Sequence, residues 1–443
     1  MKVGVGRRVI TPPVGTLLFG YRPDTVSTSV HDDLRVNAIY FEGKNARSLW
    51  FSVEVCLLAT SLCDEIRKVI EQDTGIPAEA VIVSATHTHS GPATVVMEGW
   101  GDMNTEFCNG ILIPQAREAA KEAIANARAA ELGIGTTESL VGINRRELDI
   151  DGNVKLGQNP WMPFDPCMTL VAFRDAETKE PIANLVHYCC HGTAAGRNFE
   201  ITRDWSGIML DRLEKEVGGC AMFFGGAEGD VGPRLTNKKT TGDITHVREL
   251  GGIAANDAIR AYRAITTYQD TAEIAVESGE LFLPYQSVPT KEEVDRQMAD
   301  FLAEFPDPES LCNIKYLTYK HLLAMQEYYK EGRETPDGLT LKQTVVAVGP
   351  ILIVPFPFEM FVEISLRLRK HSPYPYTLCL SNCNGAYSYL PTQDQLCRGG
   401  YEIKSFYNGN LFTMCDDTDV CIVKENLKLI NTMKEKQKRG KQQ

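Results

Sequence analysis

Two histidines stand two residues apart in the segment 84–92, whose sequence is SATHTHSGP. The apolar run 80–83 before them predicts a strand, and the Ser-Gly-Pro after them predicts its end. Because residues i and i+2 of a strand point to one face, His87 and His89 are predicted to face one pocket. Imidazole is the commonest metal ligand near neutral pH, so the pair indicates a metal site. Two hydrogen-bonded histidines in a loop are the alternative.

A second histidine pair, His187 and His191, closes the predicted strand 183–186. Catalytic zinc needs about three protein ligands and an open position, and a chain with eight histidines supplies few candidates. His191 precedes Gly-Thr at the predicted end of a strand, where open sheets place their sites, and it is the better ligand candidate. His187 lies inside the strand and is better explained as a core histidine.

The third cluster is the glycine-rich turn 225–234, which follows an apolar strand. Its glycines allow close approach of the backbone to a ligand, and Asp230 lies between two of them. From spacing alone, an ordinary surface turn explains this segment more simply.

In this order the three clusters resemble the catalytic domain of the neutral, non-lysosomal ceramidases. The matching segments are Thr-His-Thr-His-Ser-Gly-Pro at 86–92, His-Gly-Thr at 191–193 and Gly-Asp-Val-x-Pro at 229–233. Further matches in the family's order are Gly4-Val5-Gly6, Asn144-Arg145, Pro357-Phe358-Glu359, the looser 387–392 and Tyr401-Glu402. The resemblance covers most of residues 4–405.

The resemblance implies a set of zinc ligands and a set of groups that face the substrate. The implied Zn²⁺ ligands are His87, His191, Glu359 and Tyr389. His89 would then lie beside the substrate, while Arg145 and Tyr401 could hold the scissile carbonyl or stabilise its oxyanion.

The chain also departs from the family pattern. Gly232 stands where the family has its characteristic serine, and Arg234 stands where it has an asparagine. We expect neither a secretion signal nor the family's C-terminal immunoglobulin-like domain. These departures favour a soluble N-acyl or related substrate over a membrane lipid.

Without the serine, the expected nucleophile is a zinc-bound water, whose pKa the metal can lower to about 7. The hypothesis is an attack on an amide or ester carbonyl in which His89 or Asp230 takes and returns the proton. Tyr401 and Arg145 would stabilise the oxyanion. The predicted activity is that of a zinc-dependent amidohydrolase acting on a small molecule.

Two other functions remain open from the sequence. The chain could bind a small acylated or carboxylated ligand without hydrolysis, which Gly232 and Arg234 favour. A metallophosphoesterase is the second, although it would need two metals and more carboxylates at strand ends than the sequence offers.

The composition restricts the partners. The 443 residues carry a net charge of -12, which argues against a nucleic-acid or anionic-membrane surface, and no apolar run is long enough for a membrane span. The 13 cysteines form no CxxC pair, and the predicted setting is the reducing cytoplasm. Oligomeric state is left open.

The elements that must position these residues alternate between strands and helices. A hairpin is predicted from strands 36–41 and 48–53, and helices are predicted at 113–130 and 359–370. A charged helical excursion at about 290–334 fits either a solvated hairpin or a lid over the site. With the resemblance, we expect a mixed α/β (α+β) fold of β-sandwich-like sheets flanked by helices, in one large domain spanning 1–443.

Overall fold

Strands and helices alternate along the chain in the computed structural model, which describes residues 1–271 and 273–440. In these residues the strands are β1 Lys2–Val9, β2 Ser29–Val30, β3 Arg35–Glu42, β4 Arg47–Val53, β5 Val81–Ala85, β6 Arg128–Glu138, β7 Gly142–Leu148, β8 Val154–Asn159, β9 Cys167–Asp175, β10 Pro181–Tyr188, β11 Glu200–Ile201, β12 Cys220–Gly225, β13 Val231–Pro233, β14 Tyr268–Asp270, β15 Ile274–Pro284, β16 Gly338–Val348, β17 Ile351–Pro355, β18 Glu359–Met360, β19 Tyr376–Leu380 and β20 Tyr389–Leu390. The helices are α1 Thr60–Thr74, α2 Thr105–Phe107, α3 Ile113–Ala125, α4 Asp204–Val217, α5 Ile244–Arg263, α6 Lys291–Glu304, α7 Asn313–Glu331, α8 Val362–His371, α9 Gln393–Leu396, α10 Tyr401–Asn408 and α11 Thr418–Gly440.

The largest sheet of the described residues has the order β12-β10-β9-β6-β1-β3-β4-β5, with β14 also paired to β6. The outer pairs β4–β5 and β10–β12 are parallel, and the pairs between them are antiparallel. The Ser52 hydroxyl of β4 donates to the Phe223 carbonyl of β12 at 2.7 Å. The sheet therefore curls until strands from its two ends meet.

A second sheet, β15-β16-β17-β19, covers the inside of this curl. Buried side chains of both sheets form one core, among them Trp50 and Phe224 from the first sheet and Val346 and Ile353 from the second. Helices cover the outer faces: α1 and α3 cover one half of the curled sheet, and α4 and α5 cover the other. The expected fold, with sandwich-like mixed sheets flanked by helices in one large domain, is confirmed.

Local predictions hold best where hydrophobic alternation is strong. The predicted hairpin is present as β3 and β4. The helix predicted over 113–130 ends at Ala125, because residues from Arg128 onward pair with β1 and β9 and their alanines join a strand. The helix predicted to start at 359 begins at Val362, because Glu359 and Met360 pair with β20.

The charged segment near 290–334 contains two helices, α6 and α7, which together we call the helical hairpin. Thr290 begins α6 with a capping box to Glu293. The two helices share a small apolar core, formed by Val294, Met298, Leu322, Met325 and Tyr328. In the described part of the chain, no helix combines the length and the apolar character that a bilayer crossing requires.

Candidate metal centre

His87 follows strand β5 in a left-handed backbone conformation, with φ at 65°. Because β5 ends at Ala85, the strand alternation predicted for His87 and His89 is wrong: a turn brings their rings together. The two Nε2 atoms lie 3.2 Å apart. The His87 Nδ1 donates to the Cys56 carbonyl at 2.9 Å, which turns its Nε2 toward the centre as the atom that would bind a metal in place of a proton.

His191 is held in the same way from the other side of the curled sheet. It lies three residues beyond β10, and its Nδ1 donates to the Glu228 carbonyl at 2.7 Å. Burial, with the charges of Arg145 and His87, lowers the pKa of His191 to about 3. The ring is therefore neutral, and its Nε2 is an available lone pair.

Glu359 reaches the two histidines from the short strand β18. Its Oε2 lies 3.1 Å from the His191 Nε2 and 3.5 Å from the His87 Nε2, and all three residues are buried. Burial alone would raise the pKa of this carboxyl, but the neighbouring His87 ring holds it well below its usual range. Two imidazoles and one carboxylate therefore converge in the interior.

This convergence fits a metal ion. The Glu359 Oε2 and the His191 Nε2 are buried without a well-aligned hydrogen bond to any described residue. Each such atom costs roughly 1–3 kcal/mol, and one cation would satisfy both. Nitrogen and carboxylate donors are the set that Zn²⁺ accepts.

Tyr389, the fourth residue of the expected ligand set, is brought beside Glu359 by the parallel pairing of β18 with β20. Its hydroxyl accepts a hydrogen bond from the Arg145 Nη2 at 2.9 Å. The ring of Tyr401 packs edge-on against it, with centroids 5.7 Å apart. The residues drawn from distant parts of the sequence therefore share one site.

Glu402 anchors the arginines of this site, a role that the sequence did not reveal. Its carboxylate accepts from the Arg145 Nε at 2.9 Å and from the Arg146 Nη1 at 2.7 Å, and its side chain is fully buried. The pairing fixes Arg145 so that its other nitrogen reaches Tyr389. In the sequence, these ion pairs are indicated only by two adjacent arginines at 145–146 and by the acid that follows Tyr401.

A protein-family model described as "Neutral/alkaline non-lysosomal ceramidase, N-terminal" matches residues 1–283, which is more than half of the chain. The chain belongs to this family. Glu359, Tyr389 and Tyr401 lie beyond the matched range, so their place at the site rests on the geometry above.

Individual proteins that resemble this chain in sequence or in structure are also described as ceramidases. Neutral ceramidase B of Dictyostelium discoideum is 27% identical over 242 residues, which are 49% of this chain and 33% of that protein. The chain thus spans about a third of the length of this curated relative. The crystal structure of the neutral ceramidase of Pseudomonas aeruginosa matches with a TM-score of 0.76 at 16% identity, covering 98% of this chain and 74% of that one. A ceramidase complexed with C2 matches with a TM-score of 0.74 at 15% identity, covering 98% and 75%. These two structures establish the fold.

Thr240 fills the space beside Gly232, the position at which the resemblance predicts the family's serine. A Cβ atom built on Gly232 would lie 2.7 Å from the Thr240 Cγ2 and 2.9 Å from its Cβ. The Thr240 carbonyl accepts from the Thr193 hydroxyl at 2.9 Å, which ties this threonine to the His-Gly-Thr segment. No motif marks Thr240, because the residue lies on a polar loop.

Asp230 is not aimed at the three converging groups. One carboxylate oxygen accepts from the Val362 N–H at 2.8 Å and the other from the Asn144 amide at 3.0 Å. Its carbonyl accepts from the Arg145 N–H at 2.7 Å. Asp230 therefore joins β7 to the start of α8, and the proton-transfer role expected of it does not fit these contacts.

His89 is the remaining expected residue, and it does face the site. Its Nδ1 lies 3.1 Å from the Gly20 carbonyl, so the Nε2 near His87 is the unprotonated nitrogen. Burial, with the neighbouring His87 and His191, keeps the pKa of His89 well below its usual value. His89 is therefore a neutral base.

Two further residues behind His87 were missed by the sequence analysis. Asn382 places its side-chain nitrogen 3.1 Å from the His87 Nδ1 and 2.6 Å from Glu228 Oε1. Burial raises the pKa of Glu228 to about 8. Glu228 lies in the glycine-rich turn 225–234, but no motif marks Asn382, which links Glu228 to His87 only through the fold.

Proposed function

We propose that this chain is a zinc-dependent hydrolase of amide or ester bonds. The observation that supports the proposal is the convergence of ligand atoms from three buried residues, His87, His191 and Glu359. Two of these atoms, the His191 Nε2 and the Glu359 Oε2, lack a hydrogen-bond partner among the described residues. With Tyr389 these residues would hold the Zn²⁺. The ion, when bound, supplies a Lewis acid and an activated water. Residues 1–443 would form one catalytic domain, with the helical hairpin as an excursion from it.

The other groups divide the remaining chemistry. His89 Nε2 is placed to accept a proton from the attacking water and to return it to the leaving group. The Tyr401 hydroxyl is the candidate donor to the developing oxyanion. Arg145 is already engaged by Glu402 and Tyr389, so we assign it the placement of Tyr389 together with a positive potential at the carbonyl.

The substrate we propose is a soluble N-acyl or related compound. Gly232 removes the family's serine hydroxyl, and Thr240 occupies its place. The reaction would then depend on water and His89 rather than on that serine.

A second candidate function is non-hydrolytic binding of an acylated ligand at the same metal. The loss of the serine favours this function. So does Arg145, because Glu402 already accepts from its Nε and Tyr389 from its Nη2. The two-metal phosphoesterase is disfavoured, because both candidate ligand groups in the described residues share His87 and only one contains a carboxylate.

The test is metal content together with turnover. We expect about one zinc per chain and hydrolysis of short N-acyl anilides, both lost in His87→Ala. His371→Ala, at the exposed end of α8, is the matched control and should retain both. Turnover by the metal-free protein would contradict the metal mechanism, while bound zinc with no turnover of amides or esters would favour the binding function.

A further inference from the structure

The helical hairpin packs against the walls of the candidate active site. The N–H of Asn313, the first residue of α7, donates to the Gly99 carbonyl at 2.9 Å. Its side-chain amide donates to the carbonyl of Tyr21, and the ring of Tyr21 lies 5.2 Å from that of His89. The start of α7 is thus tied to a residue that contacts the proposed base.

A second contact joins α7 to the other side of the site. The Asn408 amide of α10 donates to the Thr318 hydroxyl of α7 at 3.0 Å. Helix α10 begins at Tyr401, whose ring packs edge-on against Trp100 with centroids 6.3 Å apart. Helix α7 therefore bridges the loop around Trp100 and the helix that carries the proposed oxyanion donor.

Between these contacts lies an apolar cluster that we call the roof. Its members include Phe19, Leu57, Trp100, Ile314 and Leu317. Cys56 belongs to the same cluster, and its sulfur lies 3.7 Å from the His87 Nδ1. The roof is therefore directly adjacent to the candidate ligands.

The roof side chains are packed against one another. Phe19 is 3% exposed, Trp100 is 4% exposed and Leu317 is 6% exposed. A long acyl chain needs an apolar channel of its own, and a channel requires such side chains to stand apart. Here they are buried against one another in one cluster, and dense interiors do not open without cost.

We propose that the roof, completed by Ile314 and Leu317 of the helical hairpin, limits this enzyme to substrates with a short acyl group. Leu317 and Trp100 would be the residues that determine this specificity. The inference rests on the proposed hydrolase function, because it names the substrate class of the same site.

The first test is a chain-length series on the zinc-loaded, full-length protein. The substrates are 4-nitroanilides of acetic, butyric and octanoic acid, and the ligands are the corresponding hydroxamic acids, which chelate zinc. We expect kcat/KM to fall at least tenfold from the butyryl to the octanoyl anilide, and hydroxamate affinity measured by calorimetry to fall in parallel. An open channel would instead raise both about fourfold for each methylene buried.

The second test opens the roof. Leu317→Ala should raise the octanoyl-to-butyryl ratio of kcat/KM, and of hydroxamate affinity, at least tenfold. Leu322→Ala is the matched control: it truncates the same residue type on the same helix, at 5% exposure, but within the hairpin's own core. It should leave the ratio within twofold of wild type. If Leu317→Ala does not fold, the half-buried Ile314→Ala replaces it.

The outcomes separate the two proposals. Hydroxamate affinity that falls with chain length, without turnover of any anilide, would overturn the hydrolase function and support the roof. Turnover and affinity that both rise with chain length would overturn the roof and support the hydrolase. An equal shift of the ratio in Leu317→Ala and Leu322→Ala would also overturn the roof.

Discussion

Each histidine ligand candidate is oriented by a backbone carbonyl. The Cys56 carbonyl accepts from His87 and the Glu228 carbonyl accepts from His191, so both rings present Nε2 to the same point. Such a partner fixes the tautomer as well as the direction of the ring. Since every residue has a carbonyl, the sequence could name the histidines but not what holds them.

The close contact between Gly232 and Thr240 predicts what a serine side chain at position 232 would do to stability. Gly232→Ser would force its Cβ to within 2.9 Å of the Thr240 Cβ, an atom that no rotation of the threonine can move away. We expect Gly232→Ser to lower the free energy of unfolding by about 1–3 kcal/mol, as overpacking of a dense interior does. Urea unfolding of the metal-free protein measures it.

The control is Gly232→Ser in a background in which the side chain of Thr240 has been removed. In Thr240→Gly the added serine should cost much less, so that a double-mutant cycle gives a coupling of about 1 kcal/mol or more. Gly110→Ser, with no atom within 4 Å of the new Cβ, should be nearly neutral. Equal costs of Gly232→Ser in both backgrounds would show that Thr240 does not fill the serine's space.

At the scale of elements, Asp204 fixes the loop that follows His191. Its carboxylate accepts from the N–H groups of Ala194, Ala195 and Trp205 at 2.7–3.1 Å, and the Trp205 indole donates to the His191 carbonyl. Asp204 is buried and has φ at 59°. The first turn of helix α4 therefore holds the loop that follows His191 in place.

Asp204→Ala should cost about 2–4 kcal/mol of the free energy of unfolding, because it leaves buried N–H groups without an acceptor. The side chain of Asp204→Asn retains one acceptor, and asparagine tolerates a positive φ, so its cost should be clearly smaller. Thermal and urea unfolding compare the two variants. Equal losses would mean that the charge of Asp204, rather than its acceptor geometry, holds the loop.

The sequence predicted the elements better than it predicted their assembly. Alternating apolar residues predicted the hairpin β3–β4, and the family resemblance pointed to Glu359 and Tyr389. The sequence could not reveal that Glu359 begins a two-residue strand instead of a helix, because its partner β20 lies 30 residues away. The contacts of Asp230 were hidden for the same reason: its carboxylate accepts from β7 and from the start of α8, which only the fold brings to it.

At the scale of the whole molecule, the candidate centre joins distant parts of the chain. His87 and His191 follow strands of the curled sheet, while Glu359 and Tyr389 come from the segments that flank β19 of the second sheet. A metal ion bound to them would connect the two sheets. Because it would bind the folded chain and not the unfolded one, metal binding should add to global stability.

Adding zinc to metal-free protein should therefore raise the melting temperature in a concentration-dependent way. At a free zinc concentration one hundred times the Kd the gain is about 2.7 kcal/mol. For a chain of 443 residues this corresponds to a rise of about 3 °C. Differential scanning calorimetry over a zinc titration, with a chelator to reverse the shift, measures it.

The variants decide whether the shift comes from this centre. His87→Ala removes one donor and should abolish the rise, while His371→Ala should keep it, because that histidine is exposed at the end of α8. Magnesium should not replace zinc, since it prefers oxygen ligands over two imidazoles. A zinc-induced rise of the same size in His87→Ala would place the stabilising ion elsewhere on the chain and would remove the main support for the proposed centre.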